Sequence, residues 1–316
     1  MKHGEIVQPA GIIAAALAGL LAGAFTGFGS FSSQLIEPFL MAMLFFVFLS
    51  VDGSGLRDSF RNWRFSLTAL AVNFIWTPVF AMLLGYLFFS GNTDVRFGIL
   101  LLLATPCTDW FLVFTASARG NTSLSSAILP LNLIIQVIML PVYAFLFFGA
   151  EIRFDPETIA GSILLVLAVP LLLAAAVRFV SRRSDKAEGC KEKVLGYNDD
   201  IQTVFLCLAV ASMFASESQV LFDNPMLLVS MFIPMEIFFI FNYLLSSGLG
   251  KLQKWKFDDT TSLIFTALAR NSPLALAICA AAFPENAIAL LILVIGPVIE
   301  LPTLALAAGI RLRSRR

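Results

Sequence analysis

Between its clusters of charge and its Gly, Asn and Asp turns, the chain carries ten apolar stretches, near 9–27, 33–51, 65–90, 97–118, 122–149, 158–180, 200–216, 225–247, 260–282 and 286–310. A bilayer core about 30 Å thick takes roughly 20 apolar residues per helix, so each stretch predicts a transmembrane helix. Composition agrees: of 316 residues 59% are apolar, only 13% are Asp, Glu, Lys or Arg, and mean hydropathy is +0.88. A surface facing water needs more charge than that, which excludes a soluble enzyme, a disordered scaffold and a nucleic-acid binder. The expected fold class is all-α: a polytopic membrane protein with residues 1–316 as one domain and the lipid bilayer as its solvent.

The formal net charge is zero, yet the cations are unevenly placed. With ten spans, one side receives Lys2, Arg57, Arg61, Arg64, Arg119, Arg178, Arg182, Arg183, Lys186, Lys191, Lys193, Lys251, Lys254, Lys256, Arg311, Arg313, Arg315 and Arg316. The other side receives Arg96 and Arg153, and Arg270 falls inside a span. One span missed or invented would switch every later loop, so an 18-to-2 split supports the count of ten. Both termini are expected in the cytoplasm, with the protein in the cell (inner) membrane. The N-terminal apolar stretch is read as span one rather than as a signal peptide. Cys107, Cys190, Cys207 and Cys279 lack the spacing of a disulfide framework, and the single histidine is His3 at the N-terminus, so no metal site or cofactor is expected.

Ten spans divide into two fives, and an odd number per half forces opposite orientations. Gln136-Val-Ile-Met-Leu-Pro141 matches Pro297-Val-Ile-Glu-Leu-Pro302 at an offset of 161, and spans four and nine align at an offset of 164, which superimposes Cys107 on Asn271. Inverted repeats with matched interrupted spans are a recurring plan of secondary transporters. The halves are 1–150 and 151–316, the second containing the charged loop 182–198.

Span four is interrupted at Thr105-Pro106-Cys107-Thr108-Asp109 and span nine at Arg270-Asn271-Ser272-Pro273. Each proline removes a backbone donor and clashes with the preceding turn, and the freed groups must find partners in protein or a wet cavity. Helices four and nine are therefore expected to be discontinuous and to cross at one site. Asp109, Glu236, Arg270 and Glu300 each lie near the centre of a span, where a charge costs at least ~2.5–3.5 kcal/mol unless paired or hydrated. Arg270 is expected to pair with Asp109 or Glu300; the carboxylates left over are candidate proton carriers. Asn73, Thr77, Asn132 and Gln136 are neutral groups that can face the same cavity, and Cys107 offers a soft thiol ligand at the break.

Several stretches resemble the bile acid/sodium symporter superfamily, most closely its arsenite-efflux permease branch. They are Asn73-Phe-Ile-Trp-Thr-Pro78 with Met82; Cys107 with Leu112-Val113-Phe114 and Ala118-Arg119-Gly120-Asn121; Asn132, Gln136-Val137 and Pro141-Val-Tyr143-Ala-Phe145; and Ile295-Gly296-Pro297-Val298-Ile299-Glu300-Leu301-Pro302. The resemblance implies ten spans in two inverted five-helix repeats, a four-helix panel moving against a six-helix core, and helices four and nine crossing at the site. It makes Cys107 the metalloid-contacting thiol and Glu300 a functional carboxylate. The chain departs from the branch in span nine, where the arsenite permeases carry an acidic residue after paired asparagines and this sequence has Arg270-Asn271-Ser272-Pro273.

The function expected is secondary transport of a small-molecule or inorganic anion: proton-coupled efflux of arsenite or a related oxyanion, or else sodium-coupled import of an organic anion. Cys107, Thr108, Asn271, Ser272, Asn73 and Gln136 are the candidate solute contacts, and Asp109, Arg270, Glu300 and Glu236 the candidate charge network. Intramembrane enzymes are excluded by inventory. The only run resembling an aspartyl-protease motif, Gly196-Tyr197-Asn198-Asp199-Asp200, lies at a loop edge, and no span holds the His or Lys a serine nucleophile needs. A channel would need a ring of repeated ligands, which two unlike halves do not supply.

Overall fold

The computed structural model describes residues 4–26, 29–50, 61–107, 110–149, 156–181, 183, 185–216, 218–223 and 225–314. Among them the secondary structure is helical: α1 Gly4–Thr26, α2 Gly29–Ser50, α3 Trp63–Phe89, α4 Thr93–Leu103, α5 Trp110–Ser117, α6 Thr122–Phe148 and α7 Pro156–Ser181, then α8 Asp185–Leu195, α9 Asn198–Ser216, α10 Ser218–Asp223, α11 Pro225–Leu252, α12 Phe257–Leu268, α13 Ser272–Ala282 and α14 Ala287–Arg313. Every one of the ten apolar stretches contains helix, and stretches four and nine are each split into two short helices, α4/α5 and α12/α13.

Five helical segments among the described residues are long and apolar enough to cross a membrane: Phe31–Leu49, Trp63–Phe89, Thr122–Phe148, Val229–Leu252 and Ala287–Arg313. A sixth is made if Glu188–Leu195 and Asp200–Ser216, bent by 60°, count as one span. Ala14–Thr26, Ala168–Ser181 and Ser272–Ala282 are shorter apolar helices. The stretch 182–198, expected as a charged loop, carries helix α8, which holds a half-buried i,i+3 ion pair between Lys191 and Glu188.

Two packing groups result. Helices α1, α2, α7 and α9 lie mainly against one another, whereas α3, α4, α6, α11, α12 and α14 surround the crossing; α13 touches both groups through α2 and α7. The α1–α9 contact is made possible by Gly19 and Gly23, one turn apart. A Cβ on either would run into the backbone carbonyl of Ala211 or Ala215, so the two backbones lie as close as small residues permit.

The basic loops gather at one end. Asn121 donates its backbone N–H to the Asp258 carbonyl and its amide to Asp259, and Arg311 donates to Thr261 and Phe257, which joins the loops around Arg119, Lys254 and Lys256 to the end of α14. At the opposite end the Asn286 amide donates to Asp94, two residues from Arg96, whose guanidinium lies 4.4 Å from the Tyr86 ring centroid.

Within α3 the turn Val72–Trp76 is a π-helix. Pro78 has no N–H for the Phe74 carbonyl, and the Thr77 N–H reaches back to Val72, so two carbonyls would go begging. The Thr77 hydroxyl donates to the Asn73 carbonyl, and the Tyr143 hydroxyl crosses from α6 to donate to Phe74. The widened turn projects the Asn73 side chain inward, fully buried.

Candidate functional site: the crossing of the broken helices

Helix α4 stops at Leu103, three residues before Pro106, and α12 stops at Leu268, after which Ala269 is extended. The two open segments pair antiparallel. Pro106 and Arg270 face each other in a β-bridge; the Cys107 N–H donates to the Ala269 carbonyl at 3.0 Å and the Asn271 N–H to the Thr105 carbonyl at 2.8 Å. Backbone groups that lipid cannot satisfy are thus satisfied by the other break. Helix α13 then restarts with the Asn271 side chain as its cap, accepting from the Leu274 N–H, and with Pro273 in its first turn.

Arg270 closes both helix ends at once. Its guanidinium donates to the Leu103 carbonyl of α4 at 3.0 Å and, on α12, to the Thr266, Ala267 and Leu268 carbonyls. It also reaches the Asn73 amide oxygen at 3.4 Å and sits 5.5 Å from the Phe238 ring centroid. Each helix C-terminus carries about half a negative charge; two of them meeting one guanidinium balance. Of the two carboxylates expected to pair with the Arg270 side chain, Asp109 lies outside the described residues, and Glu300 is close enough to interact with the guanidinium electrostatically. Among the described residues its donors go to main-chain carbonyls and an amide, because the broken helices expose more acceptors than a single carboxylate offers. Glu300 is engaged differently: its Oε1 accepts the backbone N–H of Arg270 at 2.8 Å. That N–H would have continued the α12 ladder to Thr266, so Glu300 helps to hold the helix open.

Other predicted residues divide into those the structure brings together and those it does not. Cys107, Asn271, Ser272 and Asn73 converge with Arg270 and Glu300 at the crossing, and all are buried, Cys107 at 4% exposure, Arg270 and Glu300 at 3% each. Thr108 and Asp109 lie outside the described residues. Glu236 is apart from this cluster: half-buried on α11, it accepts from the Thr303 hydroxyl of α14 at 2.6 Å. Asn242, further along the same helix, accepts from Trp76 and donates to the Phe238 carbonyl.

Gln136 and Asn132 lie one turn apart on α6, a helix that packs against α4, α5 and α12, at 1% and 0% exposure, and none of their four side-chain polar atoms has a partner. Ser125 and Thr115, on α6 and α5, Thr266 on α12 and the Ser272 hydroxyl at the start of α13 are buried without partners as well. Each such group left unsatisfied in apolar surroundings costs about 1–3 kcal/mol. Sequence reasoning named Asn132 and Gln136 but missed Thr115, Ser125 and Thr303, which look like ordinary hydroxyls in apolar helices.

The Sodium Bile acid symporter family model matches residues 37–224 of the chain. The arsenical-resistance protein Acr3 of Corynebacterium glutamicum is 22% identical over 246 residues, covering 75% of this chain and 66% of its own length. The Acr3 of Alkaliphilus metalliredigens is 22% identical over 284 residues, 86% of this chain and 80% of that protein, and an uncharacterised transporter of Synechocystis is 23% identical over 291 residues, 86% and 76%. With most of the chain matched to that family, and with the family's business being transport rather than intramembrane catalysis, the chain belongs to the Sodium Bile acid symporter family.

Proposed function

We propose that this protein is a proton-coupled secondary transporter that exports arsenite or a related oxyanion by alternating access. It is built from ten spans as two inverted five-helix repeats, 1–150 and 151–316, with both termini cytoplasmic and the chain in the inner membrane. The bridged pair Pro106 and Arg270 supports the repeat, since these residues are related by the offset of 164 that aligns spans four and nine. The names of the two Acr3 relatives, arsenical-resistance proteins, support the solute.

The observation that carries the reading is the capping of both broken helices by Arg270. Carbonyl oxygens converging from two helix C-termini form a cation site, and here a tethered guanidinium supplies the charge that a mobile sodium ion would otherwise bring. The solute is received on the opposite, positive ends of the short helices, where α13 offers the unpartnered Ser272 hydroxyl beside Asn271 and Cys107 supplies a thiol. Thr108, Asn73, Asn132 and Gln136 complete the lining. Asp109 or Glu300 exchanges the proton as the panel of α1, α2, α7 and α9 rocks against the remaining helices, and Glu236 is a second carboxylate that can do so.

The test is arsenite tolerance in cells expressing the protein or its Cys107→Ser variant. Higher tolerance with the unmodified chain is expected; equal tolerance at equal expression removes arsenite as the solute. The competing reading, a sodium-coupled importer of an organic anion, is favoured by the family's name. Sodium-driven uptake into proteoliposomes without a proton gradient would establish it and eliminate the tethered-cation argument.

A further inference from the structure

At the basic end a basin of about 370 Å³ opens between the starts of three helices. Arg61, Asn62, Trp63, Arg64 and Phe65 line it from the start of α3 and the residues before it, Asn121, Ser123 and Leu124 from the start of α6 and its cap, and Trp255 and Asp259 from α12 and the turn before it. It lies at the opposite end of α3 and α6 from Tyr86 and Phe148 and shares none of its lining with the crossing.

The chemistry of this basin is that of an anion site. Neither Asn62 nor Lys256 caps its helix with a side-chain hydrogen bond, and the positive ends of α3 and α12 both lie at the basin. Two guanidinium groups stand against one carboxylate, and that carboxylate, Asp259, is already turned to the Asn121 amide at 2.8 Å. Arg64 packs 5.5 Å from the Trp63 ring centroid, and Trp255 rests on the buried Phe65 ring at 5.6 Å, so cations and amphipathic rings alternate around the mouth. Arginine forks suit a tetrahedral oxyanion such as a phosphate.

The position selects the form in which that phosphate arrives. Below Trp63, 60% exposed, the outer face of α3 continues through Leu67, Ile75, Val79, Leu83 and Leu87, all exposed and apolar. On a membrane-spanning helix such a face lies against acyl chains, and Trp and Arg at its head mark the headgroup level. A phosphodiester in the basin would place its attached chains along that face. We propose that the basin binds the phosphate of an anionic phospholipid headgroup, with Arg61 and Arg64 as the ligands and Trp63 and Trp255 as the rim.

The experiment uses the full chain in neutral detergent. Thermal unfolding is followed with added phosphatidylglycerol, phosphatidylcholine or inorganic phosphate at matched concentration, for the unmodified protein, for Arg61→Gln/Arg64→Gln and for Arg61→Lys/Arg64→Lys. Phosphatidylglycerol is expected to bind about tenfold more tightly than phosphatidylcholine and to raise the melting temperature by a matching increment. The increment should shrink with salt, vanish in the glutamine variant and partly return in the lysine variant. Ser123→Asp, a change at an exposed rim position, puts a second carboxylate into the basin and is expected to remove the increment even if the double variant folds poorly. Equal stabilisation by phosphatidylcholine, or an increment that survives in both the glutamine and aspartate variants, overturns the proposal. Inorganic phosphate matching phosphatidylglycerol overturns the lipid source and reassigns the basin to a free anion.

Discussion

The crossing and the α1–α9 seam solve one problem in two ways. At the seam both helices run on without a break, and Gly19 and Gly23 bring them together by having no side chain to keep them apart. At the crossing both backbones are broken, and one long cationic side chain gathers the carbonyls that each break releases. The seam is held by close packing inside the panel of α1, α2, α7 and α9; the crossing is held by directional bonds that have no alternative partner in lipid. Packing of whole helices holds the panel together, and side-chain capping of broken ones holds the crossing.

The largest effect expected is at the crossing. Arg270→Met removes the donor from four buried carbonyls and should cost about 3–5 kcal/mol, read as a collapse of melting temperature and expression in detergent. A variant of unchanged stability would mean that the helix ends find other donors, and the contrast drawn here would fall. Next is the seam. Gly23→Leu forces a side chain into the Ala215 carbonyl and should cost ~1–3 kcal/mol, with a smaller loss for Gly23→Ala; indifference to both would show that α1 and α9 can separate freely. Tyr143→Phe leaves the Phe74 carbonyl without its donor and should cost about 1 kcal/mol, again by thermal unfolding, with no change in solute affinity. Smallest in stability is Asn132→Leu. Since none of its polar atoms is partnered, the substitution should be neutral or slightly stabilising while transport falls, whereas a clear destabilisation would assign Asn132 a structural role.

How much of this is legible in the sequence follows from which atoms carry the interaction. The apolar stretches and their interruptions are visible because side-chain hydrophobicity and proline announce them; Pro106 and Pro273 mark both breaks to within a few residues. The buried charges are visible too. The partners of Arg270 are not, since carbonyl oxygens occur at every position and only the three-dimensional path shows which of them are unbonded. Helix α8 was hidden for a different reason: Asp185–Leu195 is too charged to register as a span, yet alternating charge at helical spacing is what an exposed helix displays. The Gly19-Leu-Leu-Ala-Gly23 spacing was in plain view but gains meaning only once Ala211 and Ala215 are set against it.

Because one guanidinium is shared by the ends of α4 and α12, neither fracture can loosen while the other stays shut. The two act as a single mechanical joint, pinned from within. Any cycle of this protein must carry that joint as one piece past its surroundings, and the energy spent in turnover goes into sliding neighbouring surfaces rather than into unlatching the joint itself.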